Sequence, residues 1–83
     1  DSPYFLDTLG WAHYRNGAAA EAIPSLEKAV SVAPDFAEAH YHLGAAYIAA
    51  GEKDKGRASL EKALSLDGNE AWAEKARELL AQE

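Results

Sequence analysis

The chain has 83 residues and no cysteine, which leaves room for one small domain and excludes a disulfide framework or a thiolate zinc site. Fourteen acidic residues against eight basic ones give a formal charge of −6, which opposes nucleic-acid binding through clustered Lys and Arg. A hydrophobic fraction of 48% opposes disorder, yet no apolar run reaches the ~18 residues of a membrane span.

The opening Asp1-Ser2-Pro3 lacks a Met and reads as a cut from a longer protein. Ser2 offers an oxygen to an orphan helix amide and Pro3 suits the first helical position, so a helix is expected over 3–16. Its inward face is Leu6, Leu9, Gly10 and His13, at helical spacing, and Asn16-Gly17 stops it. A second helix over 19–33 buries Ala22, Leu26, Ala29 and Ala33. Pro24 inside it removes one backbone bond, and Pro34 ends it.

Asp35 with Glu38 three residues on reads as a capping-box variant opening a third helix over 36–50. Ala39, His40, Leu43, Ala46 and Tyr47 turn inward there, and Gly51 is the stop. A fourth helix over 53–66 carries Leu60, Ala63 and Leu64, with Gly56 as a local weakness worth about 1 kcal/mol against Ala. Gly68 then stops the chain and Asn69 caps a fifth helix over 69–83. That helix has one apolar stripe, Trp72, Ala73, Ala76, Leu79 and Leu80, while Glu74, Lys75, Arg77 and Glu78 face water.

Leu9-Gly10 recurs as Leu43-Gly44, 34 residues on, and Ser25-Leu26-Glu27-Lys28-Ala29 recurs as Ser59-Leu60-Glu61-Lys62-Ala63 at the same offset. Two helix pairs of this period, with Leu-Gly in the first helix and Ala in the second, resemble the tetratricopeptide repeat. One copy supplies Leu6, Leu9, Gly10, His13, Ala22, Leu26, Ala29 and Pro34 as packing residues. The other supplies His40, Leu43, Gly44, Tyr47, Gly56, Leu60 and Ala63, with Gly68 in the Pro slot. The resemblance implies an all-α, right-handed α-solenoid: one repeat over 1–36, a second over 37–68, and a C-terminal capping helix over 69–83. Stacked repeats of this kind need about three or more copies for stability, so two plus a cap reads as the end of a longer, bacterial-type array.

The small residues have a physical role without the family. Gly10 and Gly44 admit close approach of a partner helix, so Gly10→Leu should overpack the pair.

Chemistry is scarce. His40 and His42 are two apart on a helix and cannot chelate one metal, and no set of four convergent ligands is visible. No nucleophile elbow, phosphate loop or carboxylate pair in a cleft stands out, so neither catalysis nor a cofactor is expected.

The resemblance instead implies a concave groove lined by the first helix of each pair. Opposite the packing face lie Tyr4, Asp7, Trp11, Tyr14 and Arg15 of the first helix and Glu38, Tyr41 and Ile48 of the third. Trp11, Tyr14 and Tyr41 would anchor an extended or helical peptide, with Arg15 and Asp7 setting its polarity. These rings equally suit pure packing. The Lys/Asn/Arg clamp that some family members use on a C-terminal carboxylate has no counterpart, since the slots hold Asp7, Trp11, Tyr41 and Ala45. The expected function is a protein-interaction scaffold with a protein or peptide partner. Alternatives are a homodimerising module pairing through the first helix, or a non-catalytic accessory domain of a larger enzyme. A bacterial cytoplasm and a periplasm suit it equally.

Overall fold

The computed structural model describes residues 2–82. Five helices account for its regular structure: α1 (Pro3–Arg15), α2 (Ala19–Val32), α3 (Ala37–Ala49), α4 (Lys53–Leu66) and α5 (Ala73–Ala81). The fold is all-α, two helix-turn-helix repeats followed by a fifth helix.

Local chemistry sets the first helix. Ser2 Oγ accepts from the Phe5 amide at 3.3 Å, and Pro3 occupies the first turn, where no backbone donor is needed. Both intra-repeat turns close identically. Gly17 takes φ +80° and Gly51 φ +87°, the left-handed region that glycine enters without strain. The Gly17 and Ala18 amides then donate to the Tyr14 and His13 carbonyls, and those of Gly51 and Glu52 to Ile48 and Tyr47. Each such turn folds its second helix back antiparallel on its first.

The pairs are held by glycine against leucine. A Cβ on Gly10 would sit 2.5 Å from Leu26 Cγ, and one on Gly44 would sit 2.7 Å from Leu60 Cγ. Leu26 and Leu60 are the largest fully buried side chains. One core cluster, Ala22, Leu26, Leu43, Ala46 and Tyr47, joins α2 to α3 across the repeat boundary. A second, Tyr41, Leu60, Ala63 and Ala76, joins α3 and α4 to α5. Trp72, Leu79 and Leu80 pack against it, as the apolar stripe of the terminal helix requires. Helix α3 is therefore central, touching all four others.

Several local expectations are corrected. Leu9 is 39% exposed while Leu43 is buried: Leu43 packs on α2, whereas no described helix lies on the matching side of α1. Pro34 is exposed too, and its carbonyl accepts from His40 Nε2 at 2.8 Å. Asp35 and Glu38 form no capping box; the N-cap is Phe36, without a side-chain bond. Helix α5 starts at Ala73 rather than 69, because Asp67 Oδ1 binds the Asn69 amide at 3.1 Å and holds 67–72 in a turn. Gly56 is a requirement rather than a weakness, since its Cβ would meet Ile48 Cγ1 at 2.5 Å and the Gly44 carbonyl at 3.0 Å. Despite Pro24, α2 runs as one helix.

Candidate binding face

Helices α1, α3 and α5 share one side of the molecule, and their aromatic rings form a continuous ladder across it. Tyr14 stacks on Trp11 at 4.7 Å, Trp11 on the His42 imidazole at 3.9 Å, and Tyr41 on Trp72 at 5.4 Å between ring centroids. Trp11 and Tyr41 are tilted against each other at 5.7 Å. Offset and tilted rings at these distances add to plain area burial.

Two open cavities flank the Tyr41–Trp72 stack. The smaller, about 410 Å³, runs between α1 and α5 and is floored by Tyr41. Trp11, Tyr14 and Arg15 form one wall, and Lys75, Glu78, Leu79 and Gln82 form the other. The larger, about 610 Å³, lies at the opposite ends of the same helices, under the turns 33–36 and 67–72. Tyr4, Phe36, Glu38 and Trp72 line it with Asp35, Asp67 and Glu70.

The eight residues expected in the groove divide. Trp11, Tyr14, Arg15 and Tyr41 come together at the smaller cavity, while Tyr4 and Glu38 line the larger one. Asp7 lies apart: its carboxylate is buried and accepts from His42 Nδ1 at 2.6 Å, so it joins α1 to α3. Ile48 also lies apart, filling the space above Gly56 between α3 and α4. Tyr41 is only 7% exposed, because Trp11 covers it from one side and Trp72 from the other.

Burial, then the neighbouring Tyr14 hydroxyl and the Glu38 and Glu78 carboxylates, push the Tyr41 hydroxyl above its ordinary range. Tyr47 is pushed up further, by burial first and then by its hydrogen bond to Glu27 across the repeat boundary. At the larger cavity, a hydrogen bond to Asp67 and then its charge hold the Glu70 carboxyl above the usual range.

The α5 wall escapes sequence reasoning, although Lys75, Glu78, Leu79 and Gln82 recur at three, four and seven, one face of a helix. Taken alone, that helix divides them between water and the core. His42 falls on the groove side without its partner, because a pairing 35 residues apart leaves no local signal.

Two antiparallel helix pairs of 34-residue period, packed glycine on leucine and followed by an amphipathic helix, define a helical-repeat protein. The chain belongs to the tetratricopeptide repeat family, whose model matches residues 13–82. It is 41% identical over 76 residues to a putative cellulose synthase operon protein C of Escherichia coli O157:H7. The cellulose synthase operon protein C of Escherichia coli strain K12 matches to the same extent. The match covers 87% of this chain and 7% of the length of these relatives. No helix among the described residues is long and apolar enough to cross a membrane.

Proposed function

We propose that this chain is a non-catalytic protein-interaction scaffold that holds a peptide segment against the α1/α3/α5 face. What carries the reading is the cleft of about 410 Å³ that collects Trp11, Tyr14 and Arg15 opposite Lys75, Glu78 and Leu79. Half-buried aromatic rings supply apolar contact at little entropic cost, and a rim of both charge signs orients what lies on them. The family membership of residues 13–82 agrees with a binding role.

The test is selection from a random peptide-display library against the folded chain, followed by affinity measurements on Arg15→Glu and Lys75→Glu. Both side chains are exposed, so the variants should keep their helicity. Selected peptides should lose affinity by about tenfold in at least one variant. Peptides that bind both variants as well as the unaltered chain would remove the cleft from the function.

A second reading has its own support in the relatives named for a cellulose synthase operon. On that likeness the segment serves as an accessory module of a cellulose-producing assembly. Disrupting the gene that encodes it should then lower cellulose accumulation, and undiminished cellulose would set that reading aside.

A further inference from the structure

The larger cavity has a composition unlike the rest of the face. Four carboxylates border it, Asp35, Glu38, Asp67 and Glu70, and no lysine or arginine among the described residues lines it. Three aromatic rings stand with them: Trp72, itself stacked on Tyr41, and the Tyr4–Phe36 pair, tilted at 5.1 Å between centroids. The Arg77 guanidinium is held outside it, on the Gly68 carbonyl at 2.7 Å.

We propose that this aromatic-walled, acid-rimmed cavity receives the guanidinium of an arginine side chain carried by a bound peptide. This extends the scaffold reading to a second cavity, and it stands whether or not the Trp11 cleft is used. A planar, weakly hydrated cation can lie on a ring face while its edge donates to carboxylates, a combination that lysine meets less well. At about 610 Å³ the cavity has the size of a side-chain subsite with room for the peptide backbone. A metal ion fits less well, because among the described residues no three His, Asp or Glu side chains converge on one point. Asp67 and Glu70 are close enough for the Asp67 hydrogen bond and charge to raise the Glu70 carboxyl, so acidic charge is concentrated on one edge of the cavity.

The experiment follows the two indole N–H resonances of the isotope-labelled chain during titration. The probes are acetyl-arginine amide, its neutral isostere acetyl-citrulline amide, and calcium chloride. The arginine probe should shift the Trp72 indole and the Phe36 and Glu38 amides saturably, leaving the Trp11 indole in place. Citrulline and calcium should leave all of them unmoved. In the Glu38→Gln/Asp67→Asn variant the arginine response should weaken about fivefold to tenfold, the scale of two partly exposed ion pairs, with unchanged helicity. An equal response to citrulline, a matching response to calcium, or no saturable shift at Trp72 would each overturn the proposal. Failure of the Trp11 cleft is read separately, from display peptides that ignore Arg15 and Lys75.

Discussion

Asp7 and His42 lie 35 residues apart in sequence, yet their side chains meet in a buried hydrogen bond of 2.6 Å that ties the first helix of one repeat to the first helix of the next. The imidazole also lies flat on Trp11, and its Nε2 is 3.8 Å from Glu38 on its own helix. Asp7→Ala leaves a buried ring nitrogen without its acceptor and should cost about 1–3 kcal/mol by chemical denaturation. A double-mutant cycle with His42→Ala should show coupling above ~0.5 kcal/mol. Additive losses would mean that the two side chains act independently.

Glycine packing gives an expectation contrary to helix propensity. An alanine at 56 would ordinarily stabilise a helix by about 1 kcal/mol. Here its methyl would press on Ile48 and the Gly44 carbonyl, and overpacking of this kind costs about 1–3 kcal/mol. Gly56→Ala should therefore lower the melting temperature, and the drop it causes should be smaller in an Ile48→Ala background than in the unaltered chain. A plain rise in melting temperature for Gly56→Ala would contradict the geometry. Gly10→Leu should be damaging for the same reason, with the Leu26 side chain in its path.

Leu9 and Leu43 hold the same place in successive repeats but not the same burial. Leu43→Ala should cost about 2–5 kcal/mol, the range for emptying a packed core position. Leu9→Ala, at 39% exposure, should cost less than half as much. Equal losses would mean that a partner surface covers Leu9 in solution, and molar mass from light scattering would then tell whether it is a second copy.

Alkaline pH should report on the repeat boundary. Tyr47 keeps its proton in the folded chain well past the ordinary ionisation near 10.0, because burial and the Glu27 hydrogen bond disfavour its phenolate. The unfolded chain binds fewer protons there, so stability from this group is complete below about pH 10 and is lost as pH rises beyond it. In Tyr47→Phe the neutral-pH stability should drop by about 0.5–1.5 kcal/mol, and the gap to the unaltered chain should close above pH 10. A constant gap would sink the assignment.

The opposite end of the scale involves Glu70, raised from its ordinary 4.5 by Asp67 and, more weakly, by Glu38. A raised carboxyl favours the folded state while it is protonated, so this contribution is present below about pH 4.5 and fades as pH climbs through the raised value. Glu70→Gln should flatten that part of the stability profile. An unchanged profile would show that the carboxyl does not feel Asp67.

Most of the architecture is readable from the chain because helix starts, left-handed glycines and the repeat period are local signals. Gly17 and Gly51 announce their turns, and Leu26 and Leu60 sit where apolar spacing puts them. What escapes depends on contacts distant in sequence. Gly56 resembles a defect until Ile48 is seen over it. Asp7 on α1 and Tyr41 on α3 each fall on the outer arc of their own helix, and only the neighbouring helices show that this arc is covered. Lys75 and Glu78 read as a solvated face, although they also stand opposite Arg15. Of the two cavities, only the Trp11 side has a signature in helical spacing; the other is assembled from turns at 33–36 and 67–72.

The unequal enclosure of α1 and α3 sets where the molecule comes apart. Helix α3 has eight buried residues and neighbours on every flank, whereas α1 has two. Backbone amides of α3 should exchange with solvent only when the whole chain opens, while those of α1 can exchange through detachment of one helix. Under heat or mechanical tension α1 and α5, each with two buried residues, should therefore open before α3, taking apart early the Trp11 cleft that lies between them.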